Sequence, residues 1–178
     1  MNYYWGSLFD IDTTNENYPE LIRLLLSLSD AFQVVLANHR VSAKLPAASR
    51  AFKEALKQDK VGGWSKTGDY RLPVTEGTTQ PGEYCTTAIF QVSPDSFPVL
   101  EARQSLSNWY LPESPEDLSF YRNGRCWFAA CAEEGIVYFC ANQEDAQKII
   151  EYSGIPFSKG APAKEEELFQ EKYKLRKR

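Results

Sequence analysis

Few residues in this chain could do chemistry. There is one histidine, His39. A Ser-His-Asp or Cys-His nucleophile site would have to use it as the base. Its setting, Asn38-His39-Arg40 after an apolar run, is turn-like, so a loop histidine is the expectation. Of the four cysteines, Cys85, Cys126, Cys131 and Cys140, none is spaced as C-x-x-C. A zinc site would lack paired ligands. Buried free thiols in a reducing compartment are expected instead. Lys66-Thr67-Gly68 matches a penicillin-binding signature, but Ser42-Ala43-Lys44 has the wrong spacing for its S-x-x-K partner. Gly62-Gly63 stands alone and makes no phosphate loop. Glu133-Glu134 and Glu165-Glu166-Glu167 pair carboxylates, yet neighbouring acids in turns and tails are normally solvated. No catalytic residue, metal or cofactor is expected, and the balance leans away from an enzyme.

One stretch does suggest recognition. Residues 64–84 are poor in apolar residues and rich in Gly, Pro and Thr, and loops of this length are often functional. Trp64, Lys66, Asp69, Tyr70 and Arg71 set two aromatics among charges of both signs, the usual make-up of an interaction hot spot. The alternative is an enzyme or small-ligand binder that uses this loop as a lid.

Composition frames these residues. The chain has 178 residues, 43% hydrophobic and 13% aromatic, enough to bury a core without staples. The net charge is -4, which argues against nucleic acid as a partner. The N-terminus has no basic region followed by an apolar core, so no signal peptide is expected. The run from Leu21 to Leu28 contains Arg23 and Ser27 and is too short to span a bilayer. No membrane partner and a cytoplasmic location are expected. Residues 1–160 read as a single α+β domain, and 161–178 as a charged tail that could coil into a helix.

The elements follow from period and punctuation. Tyr3 to Ile11, Ala31 to Leu36 and Thr86 to Val92 read as strands. A first helix starts at Asn17-Tyr18-Pro19-Glu20, with Asn17 as cap and Leu21, Ile22, Leu25, Leu26 and Leu28 inward. Pro46 opens a second, with Ala48, Phe52, Ala55 and Leu56 inward and Gly62-Gly63 as its stop. Ser96 caps a third, with Leu100, Arg103 and Leu106 on one stripe. Asn142 caps a fourth, with Ala146, Ile149 and Ile150 inward, ended by Gly154 and Pro156.

The most legible part is a three-stranded meander from Leu118 to Ala141. Asn123-Gly124 suits a type I′ hairpin turn. It pairs Arg122 with Arg125 and Phe120 with Trp127. Glu133-Glu134-Gly135 suits a three-residue turn that sets Cys131 opposite Val137 and Ala129 opposite Phe139. A strict pleat puts Leu118, Phe120, Trp127, Ala129, Cys131, Val137 and Phe139 on the core face. The second face carries Tyr121, Cys126, Phe128, Ala130, Ile136, Tyr138 and Cys140. It is too apolar for water and needs a helix or a partner. The fold class is α+β, a mostly antiparallel sheet with a C-terminal meander packed by about four helices.

Trp109-Tyr110-Leu111-Pro112, Pro115-Glu116-Asp117-Leu118-Ser119-Phe120-Tyr121 and Trp127-Phe128 resemble a pattern of small bacterial proteins of unknown function. There a W-x-x-P approach leads into P-E-D-L-x-F-Y, a turn, a W-[FL] strand and then His-Glu. Phe32-Gln33-Val34-Val35-Leu36 and Trp64 are similar too. Here Ala132-Glu133 stands where the pattern has His-Glu, so any chemistry of that histidine is missing. The resemblance implies an accessory role, such as toxin immunity or binding of a neighbouring protein. A non-catalytic protein-binding function is therefore expected, with a homodimer as a further alternative.

Overall fold

The computed structural model describes residues 2–9, 15–38, 44–62 and 85–160. Eight strands form one sheet: β1 (Asn2–Ser7), β2 (Ala31–Asn38), β3 (Lys60–Gly62), β4 (Cys85–Gln91), β5 (Glu116–Arg122), β6 (Arg125–Cys131), β7 (Ile136–Ala141) and β8 (Ser158–Lys159). Their order is β3-β4-β2-β5-β6-β7-β1-β8, and neighbouring strands run antiparallel. The described helices are α1 (Tyr18–Ser27), α2 (Ala47–Ala55), α3 (Ser96–Glu101) and α4 (Gln143–Ser153). The fold is α+β, as the sequence predicts, with β5-β6-β7 as the C-terminal meander.

One aromatic from each of six adjacent strands builds the main core. Phe90 stacks on Phe32 at 5.4 Å, Phe32 lies 6.1 Å from Phe120, and Phe120 meets Phe128 edge-on at 5.9 Å. Phe128 stacks on Phe139 at 6.3 Å, and Phe139 on Tyr4 at 4.9 Å. Such cross-strand ring pairs add to the area each ring buries. The apolar residues buried by the helices all join this cluster: Leu21, Ile22, Leu25 and Leu26 from α1, Phe52 from α2, Leu100 from α3, and Ala146 and Ile149 from α4.

The helix signals hold in part. In α4, Asn142 Oδ1 accepts from the Asp145 N–H at 2.8 Å, and Gly154 ends the helix at φ 69°, a conformation glycine adopts without strain. In α1, Pro19 sits in the first turn, but the Asn17 side chain makes no cap bond; the Asn17 N–H instead donates to Asn15 Oδ1 at 2.9 Å. In α2, Phe52 and Leu56 point inward with Ser49, whereas Ala55 is exposed. Gly62 is not its stop: the chain leaves the helix at Leu56 and Lys60–Gly62 becomes an edge strand on β4. Asp95, not Ser96, occupies the cap position of α3, and Leu106 starts a separate 3-10 turn instead of continuing the stripe. β1 ends at Ser7, short of the expected Ile11.

The meander keeps its first turn and loses its strict pleat. Asn123 and Gly124 take φ 54° and 73°, and Arg122 faces Arg125. The register then shifts: Tyr121 faces Cys126, but Phe120 faces Phe128, not Trp127. Trp127 is the extra residue of a β-bulge, which reverses the faces beyond it. Phe128 and Ala130 therefore lie in the main core, while Ala129 joins Tyr121, Cys126 and Cys140 in a second cluster on the other face. The next turn has four residues, Ala132 to Gly135, so Cys131 faces Ile136 and Ala129 faces Tyr138. Trp127 is buried as expected, its Nε1 donating to Ser29 Oγ at 2.9 Å.

Candidate functional site

The reversed pleat defines the second face of the sheet. Its middle is buried and polar: Gln33 on β2 and Ser119 and Tyr121 on β5. The Tyr121 hydroxyl donates to Gln33 Oε1 at 3.3 Å. No described helix contributes to the apolar cluster here. Towards β7 and β1 the same face opens. Register puts Trp5 opposite Tyr138 and Tyr3 opposite Cys140. Tyr3, Tyr138 and Ile136 are half-buried, and Trp5 is 44% exposed. Just past β1, Phe9 is 72% exposed. Its ring lies over Gly135, where a Cβ would stand 2.2 Å from Phe9 Cε2. The result is a row of aromatics along one end of this sheet face, of which Trp5 and Phe9 are exposed.

Beside this row lies an acidic cluster. The pairing of β2 with β5 shifts between Gln33, opposite Ser119, and Val35, opposite Glu116. Asp117 falls in that irregularity at φ 56°, a left-handed conformation that Asp tolerates better than most residues. Glu116 and Asp117 are only 6% and 8% exposed. Glu133 in the β6–β7 turn is a neighbour of the Glu116 carboxyl, and the Cys131 thiol of the Asp117 carboxyl. Asp117 Oδ1 has no partner.

Burial disfavours the charged forms of Glu116 and Asp117. Burial, then the charges of Asp117 and Glu133, hold Glu116 well above the usual glutamate range. Burial pushes Asp117 up to about 7, with the neighbouring Cys131 thiol opposing and Glu133 and Glu134 adding to the rise. Burial and the Asp117 carboxyl likewise push the Cys131 thiol up, so it is a poor nucleophile. Glu133 in the turn is exposed and Glu134 half-buried. The sequence clue was an adjacent Glu-Asp opening an apolar strand; the bulge that buries it has no local signature.

A third feature lies on the helix side. The Trp109 Nε1 donates to the Tyr18 hydroxyl at 2.9 Å, which donates to the Leu100 carbonyl at 3.3 Å. Both rings are fully buried, and Trp109 also meets Phe52 edge-on at 5.8 Å. This polar pin joins α1, α3 and the segment before β5, and its role is packing.

The hot-spot residues Trp64, Lys66, Asp69, Tyr70 and Arg71 lie outside the described residues, as do His39, Lys66-Thr67-Gly68 and the charged tail. So does the proposed lid. Among the described residues no group of three or more His, Cys, Asp or Glu is arranged to hold a metal ion, and Cys126, Cys131 and Cys140 are buried and outside any disulfide. No described helix is long and apolar enough to cross a membrane. No protein-family model matches the chain, and no curated protein or solved structure is detectably similar to it.

Proposed function

We propose that this chain is a non-catalytic binding protein, of the accessory or immunity type, that engages another protein through the aromatic end of its second sheet face. Trp5 carries this reading: a strand indole 44% exposed, with half-buried Tyr138 across the ladder and Tyr3 two residues back. Large rigid rings supply contact area at low entropic cost and anchor interfaces. A lone exposed apolar side chain would be ordinary; a row continuing to Phe9 is an interaction surface. The exposed Glu133 and half-buried Glu134 rim one end of it, which suits a partner with basic flanks. The resemblance to small bacterial proteins supports the same role. We place the chain in the cytoplasm, a reading supported by the buried thiols of Cys126 and Cys131, which form no disulfide.

The test is capture from an extract of the native host with the tagged chain and with its Trp5→Ala variant. A partner held by the first and weakened at least about tenfold by the second is expected, since interface anchors are worth 2 kcal/mol or more. The same proteins captured equally by both would refute the reading. Self-association in sedimentation that Trp5→Ala abolishes would make the partner a second copy of this chain.

A further inference from the structure

We infer that Gln33 and Ser119 form an internal binding site for one uncharged, oxygen-bearing molecule, a water or a small carbonyl compound, in the middle of the second sheet face. Antiparallel pairing sets the two residues directly opposite one another on β2 and β5. Their side chains therefore leave the sheet on the same side, about 5 Å apart at Cβ. Both are fully buried. The Tyr121 hydroxyl, two residues along β5, donates to Gln33 Oε1 at 3.3 Å, which turns Nε2 away from it. Among the described residues, Gln33 Nε2 and Ser119 Oγ have no hydrogen-bond partner. Leaving a buried amide and a buried hydroxyl unpaired costs more than an ordinary hydrogen bond returns, so such groups are normally satisfied.

Register also shapes the place. One row crosses the sheet through Ile89, Gln33, Ser119, Ala129, Tyr138 and Trp5. Ser119 and Ala129 stand side by side and are its smallest side chains, with the larger Gln33 and Tyr138 on either flank. Gln33 Nε2 carries two N–H donors, and Ser119 Oγ both donates and accepts. A single oxygen that accepts from Gln33 and shares a hydrogen bond with Ser119 satisfies both. The row holds only uncharged side chains, so a buried ion would lack a counter-charge there. The occupant is therefore neutral. A buried water bridges such pairs, and a carbonyl oxygen meets the same donors. This inference stands without the proposed binding function.

The experiment has two arms on the full, isotope-labelled chain. Water–protein NOE spectra should show a long-lived water against the Gln33 side-chain amide protons. Native mass spectrometry separates the second source: a carbonyl compound adds its mass to the chain, and Ser119→Ala diminishes that adduct. No water cross-peak at Gln33 together with the bare mass of the chain would overturn the inference. Thermal unfolding of Ser119→Ala then tests the share of the hydroxyl. A made hydrogen bond predicts a melting temperature lower by about 2–4 °C. An unchanged or higher melting temperature would mean that the hydroxyl is an orphan, and would also overturn the inference. Should the variant not fold, the two arms on the parent decide.

Discussion

At the level of single residues, Tyr18 and Trp109 are held by a specific hydrogen bond inside an aromatic interior. Tyr18 shows the consequence. Its hydroxyl is the acceptor for the buried Trp109 indole N–H, and burial raises its own ionisation far out of reach. Tyr18→Phe should therefore cost about 1–3 kcal/mol in urea unfolding, the usual cost of stranding a buried donor. The loss should be the same at pH 6 and pH 8. Cys126 and Cys131 give a second check. Burial raises both thiols, so neither should react with a maleimide in the native chain, and both should react once it is denatured. Peptide mass spectrometry reads the outcome directly.

At the level of elements, the turns dictate how the strands meet. Gly135 closes the β6–β7 turn at φ 66°, and a Cβ there would run into the exposed Phe9 ring. Phe9 can swing away, but the backbone strain cannot be relieved. Gly135→Ala should thus cost about 1 kcal/mol, and Phe9→Ala in that background should recover little of it in a double-mutant cycle. The same scale shows what was readable in the sequence. Asn123-Gly124, Asn142 and Gly154 signal their turns and caps through their own chemistry, and the structure places them as expected. The bulge at Trp127 depends on how two strands compromise over several aromatics, which no local pattern records. It moves Phe128 into the core and Ala129 out of it. Glu116-Asp117 and Glu133-Glu134 are apart in sequence and come together only through the β5–β6 pairing, so their proximity was invisible. The short strand Lys60–Gly62 was hidden because Gly62-Gly63 reads as a helix stop when its neighbour β4 is unknown.

Across the whole molecule, the two faces of one sheet divide the work. The helix-covered face carries stability, and the far end of the other face carries the proposed recognition. Two substitutions should separate these roles. Phe128→Ala removes a ring that touches Phe120, Trp127 and Phe139 and should cost about 3–5 kcal/mol in chemical denaturation. Trp5→Ala removes a ring already 44% exposed and should leave the denaturation midpoint nearly unchanged, because surface substitutions usually stay within about 0.5 kcal/mol. A large stability loss from Trp5→Ala would mean that the indole is structural. The most direct test is amide hydrogen exchange of the chain with and without its captured partner. Slowed exchange should concentrate in β1, β7 and the β6–β7 turn, around Trp5, Tyr138 and Gly135. Slowed exchange confined to the helices α1, α3 and α4, with β1 and β7 unchanged, would contradict the proposal that the aromatic row is the binding surface.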